Sequence, residues 1–213
     1  MLCTELIDLP EDGKPFATLL LAHGAGAPMD SPFMQRLSAE LRALGLRVIR
    51  FEFPYMQDRR LSGRKRPPDP MPRLLECFRA QHANALANKV GPVFLGGKSM
   101  GGRVASMLAD ELPVSGVACF GYPFHPPGKP DKTRTAHLQQ LTTPVLILQG
   151  TRDPLGRPAE VAGYLLSQPL QVQWLESGDH DFKPLKASGR TQAEVVKEAA
   201  KATAVFCRER LAG

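Results

Sequence analysis

No stretch of this sequence is both apolar enough and long enough to cross a bilayer. The run from Phe16 to Ala22 falls far short of the roughly 20 residues that a spanning helix needs. Glu5, Asp8, Glu11 and Asp12 precede that run where a secretory signal would be basic, so a cytoplasmic protein with no membrane partner is expected. Cysteine is sparse and scattered. Cys3, Cys77, Cys119 and Cys207 form no C-x-x-C pair, which fits reduced thiols better than a disulfide framework or a zinc site. No metal and no cofactor is expected. There is no internal repeat, so a solenoid or propeller is not indicated.

What is present suits a soluble globular chain. A length of 213 residues, 43% hydrophobic and 23% charged, fits one domain spanning residues 1–213 with a core large enough for three layers. Lys and Arg number 27 against 21 Asp and Glu, leaving a net +6. That excess permits nucleic-acid or anionic-ligand binding without showing it, so the position of the charge matters more than its sum.

Short apolar runs alternate with helical periodicity along the chain. The runs predict a weak strand near 5–9 and strands at 17–22, 46–53, 91–95, 114–120, 144–149 and 171–175. Between them, Phe33, Leu37, Leu41 and Leu44 recur at helical spacing until Gly45, and a second helix gathers around Leu74, Phe78 and Ala85. Further helices are expected at 100–112, 136–141 and 159–166. A capping box of Thr191 and Glu194 opens the last. Residues 54–72 and 122–135, rich in Pro and basic side chains, are expected to be loops. Strands alternating with helices imply right-handed crossovers and a three-layer α/β/α sandwich around a mainly parallel sheet.

Chemistry concentrates where an apolar run stops at a glycine pair. Gly97-Lys98-Ser99-Met100-Gly101 reads G-x-S-x-G, the pattern of a nucleophile elbow, in which a serine sits on a strained turn from strand to helix. Chance would place this pattern in roughly 0.07 of chains of this length and composition, so it counts only in context. The neighbouring Gly-Lys-Ser string is not a phosphate loop, because the required first glycine is replaced by Pro92.

In a parallel sheet, the loops leaving the carboxyl ends of the strands share one edge. Four such loops carry reactive residues here: His23 to Ala27, Ser99 with Met100, Asp153, and His180. A serine hydroxyl needs an imidazole to take its proton and a carboxylate to hold that imidazole. Ser99, Asp153 and His180 supply these in order. Asp179 and Asp181 flank the histidine and read as turn caps. His23 reads as a brace for its loop, and His82, on a helical face, as structural.

These pieces resemble the α/β-hydrolase superfamily over nearly the whole chain, from His23-Gly24 through the elbow to His180. The resemblance is to its small, cap-less, dienelactone-hydrolase-like branch. More narrowly, Leu21 to Gly26, Gly97 to Arg103, Gly121 to Pro130 and Gln149 to Pro154 are jointly similar to a subgroup. That subgroup includes testis-expressed hydrolase-like proteins and a subunit of a chromatin acetyltransferase complex. Two departures stand out: dienelactone hydrolases carry cysteine where this chain has Ser99, and the N-terminal strands of the full fold are nearly absent.

The resemblance implies an oxyanion hole from the main-chain N–H groups of Ala25 and Met100. Basic residues on strand-end loops have two readings, solvated charge or a rim for an anionic substrate. Arg64, His125, Lys129 and Arg157 are the rim candidates, with the rest of the basic cluster at 59–66, Lys132 and Arg134 on the same strand-end loops, and His137 on the basic loop is placed to touch substrate. The expected function is a serine hydrolase acting on a small ester or thioester. The alternative is an interaction protein that keeps the scaffold and has a protein partner. Nucleic-acid binding rests on charge alone and ranks last.

Overall fold

The computed structural model describes residues 4–88 and 90–212; Cys3 lies outside them. Seven strands form one sheet: β1 (Glu5–Asp8), β2 (Ala17–Ala22), β3 (Leu46–Phe51), β4 (Val93–Lys98), β5 (Gly116–Phe120), β6 (Val145–Gly150) and β7 (Leu170–Leu175). Their order is β1-β3-β2-β4-β5-β6-β7. All neighbours run parallel except β1, which lies antiparallel on β3. The helices are α1 (Pro32–Ala43), α2 (Pro54–Ser62), α3 (Met71–Ala87), α4 (Met100–Met107), α5 (Pro158–Val161) and α6 (Gln192–Leu211).

Every residue of β2, β4, β5 and β6 is buried. This is why these strands read as continuous apolar runs: a parallel sheet is covered on both faces, so no polar alternation survives. Successive side chains go to opposite layers. Leu19, Leu21 and Phe94 pack with buried residues of α1 and α6, while Leu20, Leu95 and Val117 pack with those of α3 and α4. The three-layer sandwich expected from the sequence is the observed fold.

Local chemistry sets the helix ends. Pro32 takes the first turn of α1, where its missing N–H costs nothing, and Met34, Leu37 and Leu41 form the buried stripe. The helix stops at Gly45, whose φ of +93° suits glycine. Thr191 and Glu194 cap α6 reciprocally: the Glu194 N–H donates to Thr191 Oγ1 at 3.3 Å and the Thr191 N–H donates to Glu194 Oε2 at 2.7 Å.

Four expectations are corrected. Residues 54–62 are the helix α2 and not loop, because Pro54 sits in its first turn and Gly63, at φ +66°, ends it. Prolines read as breakers there mark helix starts. Helix α4 ends at Met107 rather than 112, α5 covers only Pro158–Val161 of the expected 159–166, and the 136–141 helix is a 3₁₀ turn, Ala136–Gln139.

The strand order also fixes where a site can form. From β2 the chain crosses to β3 on one side, and β4 then takes the other side of β2. The loops after β2 and β4 therefore diverge, and the gap between them is the crevice that open α/β sheets use for ligands.

The α6 cap yields a direct check. Thr191→Ala removes the acceptor for the Glu194 N–H, and urea unfolding should show stability lower by about 1 kcal/mol with an unchanged m-value.

Candidate active site

The turn from β4 into α4 is too tight for side chains at its glycines. A Cβ on Gly97 would stand 2.3 Å from the Gly101 carbonyl carbon, and one on Gly101 would stand 2.6 Å from the carbonyl oxygens of Ala22 and His23. Ser99, between them, adopts φ +51° and ψ −114°, a backbone conformation that L-residues avoid. Its N–H donates to the Phe120 carbonyl at 3.0 Å, and its carbonyl accepts from the Arg103 N–H at 3.1 Å. The hydroxyl is thereby pushed out at the carboxyl edge of the sheet.

Asp153 and His180 arrive from the loops after β6 and β7. His180 Nε2 lies 2.9 Å from Ser99 Oγ, positioned to accept its proton, and His180 Nδ1 donates to Asp153 Oδ2 at 2.8 Å. Asp153 is fully buried, whereas the His180 side chain keeps 26% of its exposure. The other Asp153 oxygen accepts the Leu155 N–H at 2.9 Å. Asp179 and Asp181 do not touch the imidazole: Asp179 Oδ1 accepts the N–H groups of Asp181 and Lys183 at 2.8 and 2.9 Å.

Two residues that the sequence reading gave no role support this row. Buried Gln149 donates through Nε2 to Asp153 Oδ2 at 2.9 Å and accepts the Tyr122 N–H at 2.7 Å. It stands four positions before Asp153 in the motif, and that spacing was the only available signal. Lys98 is also nearly buried, and its ammonium donates to the His180 carbonyl at 2.7 Å and lies 3.4 Å from Asp181. Burial lowers its pKa, against the raising effect of Asp181.

The loop after β2 faces this row. Ala25 lines the same cleft as Ser99 and His180, a hollow of about 340 Å³ that also includes Lys98, Phe33 and Asp181. Among the described residues, neither the Ala25 nor the Met100 N–H donates to a protein acceptor. Tyr55 Oη donates to the Ala25 carbonyl at 3.0 Å. His23 Nδ1 donates to the Gly24 carbonyl at 2.6 Å, while its Nε2 accepts the Phe53 N–H at 3.1 Å. Both imidazole nitrogens are thus committed to holding the loop.

The rim candidates do not gather at this cleft. Arg64 lines a separate hollow of about 210 Å³ with Arg59 and Lys65. His125 is 2% exposed and turned inward, its Nδ1 donating to the Pro126 carbonyl at 2.9 Å, so it cannot serve as a surface rim. Lys129 and Arg157 are exposed and do not line the cleft. Arg60, part of the same basic cluster, is neutralised by buried Glu52 at 2.7 Å and by Asp30 at 2.5 Å. His82 bonds the Pro113 carbonyl at 3.3 Å on its helix face. Among the described residues, no group of three or more His, Cys, Asp or Glu side chains is placed to hold a metal ion, and no helix is long and apolar enough to cross a membrane.

The alpha/beta hydrolase domain family matches residues 15–208. Among solved structures, an alpha-beta serine hydrolase homologue from Coxiella burnetii is similar at a TM-score of 0.73 and 20% identity, over 93% of this chain and 90% of that one. A serine hydrolase without lid from Xanthomonas campestris is similar at 0.69 and 20%, over 93% and 88%. A dienelactone hydrolase from Anabaena variabilis is similar at 0.68 and 21%, over 92% and 88%. At these identities the likeness is one of fold.

His23 gives a pH test of the loop. Burial drives its pKa from 6.5 to about 4, a lowering that the Gly24 hydrogen bond and Glu52 only partly oppose. The unfolded chain therefore binds this proton first. Stability from the neutral form is complete above pH 6.5 and is lost as pH falls through 4, up to about 3 kcal/mol. Urea unfolding between these pH values should show a steeper loss in the wild type than in His23→Gln.

Proposed function

Because the chain belongs to the alpha/beta hydrolase domain family, we propose that it is a serine hydrolase cleaving small esters or thioesters through an acyl-enzyme. The observation that carries this reading is the continuous row from Gln149 through Asp153 and His180 to Ser99, every link at 2.8 to 2.9 Å.

Ser99 Oγ attacks the acyl carbon while His180 Nε2 takes its proton. Asp153 holds the imidazole with Nδ1 protonated and stabilises the imidazolium that forms, and Gln149 donates to the same Asp153 Oδ2 and fixes its orientation. The tetrahedral oxyanion is received by the N–H groups of Met100 and Ala25, which have no competing protein acceptor. His180 then protonates the leaving alkoxide or thiolate. Water, activated by the same imidazole, releases the acyl group and restores Ser99.

The Ser99 backbone strain supports the same reading, since strain of this kind persists where the surroundings enforce it for a purpose. An interaction protein on this scaffold would need neither that conformation nor a buried Asp153. No cofactor enters the scheme.

A fluorophosphonate probe should label the wild type and not Ser99→Ala. Turnover of a p-nitrophenyl ester should fall on the order of 10⁶-fold in Ser99→Ala and on the order of 10⁴-fold in Asp153→Asn. Absence of labelling in the folded wild type, with no turnover of short-chain esters or thioesters, would favour the interaction protein.

A further inference from the structure

A second group of polar side chains adjoins the nucleophile turn without joining the row from Gln149 to Ser99. Arg103 lies one turn into α4, half-buried and on the same helix face as Met100. Helical side chains lean toward the N-terminus of their helix, so its guanidinium is carried back toward Met100 and the carboxyl edge of the sheet. The loop after β5 runs alongside. Tyr122 Oη donates to the Arg134 carbonyl at 2.9 Å, and Ser106 Oγ, which donates to the Arg103 carbonyl at 2.9 Å, accepts from His137 Nε2 at 2.9 Å.

What this group lacks is an acid. Arg60, Arg66, Arg73, Arg79 and Arg190 each meet an Asp or Glu. Among the described residues neither Arg103 nor Arg134 has a carboxylate within ion-pair distance. Arg103 Nε is buried without any hydrogen-bond partner. The Arg103 guanidinium acts on both Arg134 and His137. Burial and the Arg103 charge together lower the Arg134 pKa and hold His137 at about 4, so this imidazole is neutral and adds no charge. Half-buried cations left uncompensated favour an anion, and the guanidinium fork matches the oxygens of a carboxylate or phosphate.

We propose that Arg103 and Arg134 form a subsite for an oxyanion, a carboxylate or phosphate on the non-reacting part of the substrate, beside Met100. The proposal rests on the serine hydrolase reading for the word substrate, but not for the binding of the anion. Exposed Lys129 and Lys132 on the same loop extend the positive field around the subsite. Unlike Arg64, Lys129 and Arg157, which are exposed, Arg134 of the basic loop is half-buried, and Arg103 joins it from a helix.

The kinetic test compares mono-p-nitrophenyl succinate, a p-nitrophenyl ester with a terminal phosphate, and their neutral methyl-capped counterparts. At least one anionic ester should exceed its neutral counterpart by tenfold or more in kcat/KM, mainly through KM, and the excess should shrink at 0.5 M NaCl. Arg103→Gln and Arg134→Gln should each cut that ratio about tenfold, with Arg134→Lys intermediate. The carboxylate and phosphate arms identify the anion. A ratio near one for both anions in the wild type, or an unchanged ratio in both folded variants, overturns the proposal.

Calorimetric titration of inorganic phosphate and of succinate into Ser99→Ala separates this result from the hydrolase reading. Binding of at least one, lost when Arg103→Gln or Arg134→Gln is added, upholds the subsite even if the fluorophosphonate probe never labels Ser99. No binding of either anion, together with unselective hydrolysis, removes the subsite and leaves the serine hydrolase standing. Among the described residues neither guanidinium bonds a protein group, so both variants should fold, and thermal melts check this.

Discussion

The crossing of main chains under Ser99 is the constraint on which the rest of the site depends. Gly97, Gly101 and Gly102 bring the end of β4, the start of α4 and the end of β2 to distances that no Cβ atom could tolerate. Because these backbones touch, the end of β2 and the nucleophile turn are one rigid unit. The Ala25 and Met100 N–H groups are thereby held close to the nucleophile turn, as the proposed oxyanion hole requires.

Around that unit, buried polar groups act as braces. Gln149 reaches Asp153, the Lys98 ammonium reaches the His180 carbonyl, and Tyr55 and His23 reach the loop of Ala25. Glu52, fully buried, draws Arg60 of α2 and the Met29 N–H toward the same loop. Removing such groups from water is costly, and buried ion pairs are weak sources of stability. Their common result is position: each fixes a segment that carries a strand-end residue. The helix α2 thus belongs to the support of the site, since it supplies both Tyr55 and Arg60.

Much of this was legible in the sequence, for physical reasons that also explain the gaps. Central parallel strands are buried on both faces, so β2, β4, β5 and β6 stand out as apolar runs ending in glycine or in a reactive residue. The order of Ser99, Asp153 and His180 along the chain, each after a strand, is enough to bring them to one edge. Helix α2 escaped because its apolar face is short, with only Tyr55 and Met56 buried, and prolines flank it. Basic residues escaped for a different reason. A positive charge in a sequence does not reveal whether an acid lies opposite it in space. Arg60 meets Glu52, eight positions away, whereas Arg103 meets none, and only the folded chain distinguishes them.

The cleft over Ser99 holds about 340 Å³, and among the described residues no inserted cap lies between the strands. With no cap above it, the cleft leaves the His180 side chain 26% exposed at its edge. Under the proposed function, the part of a substrate remote from its acyl carbon would stay in solvent, so its bulk would matter less than its charge.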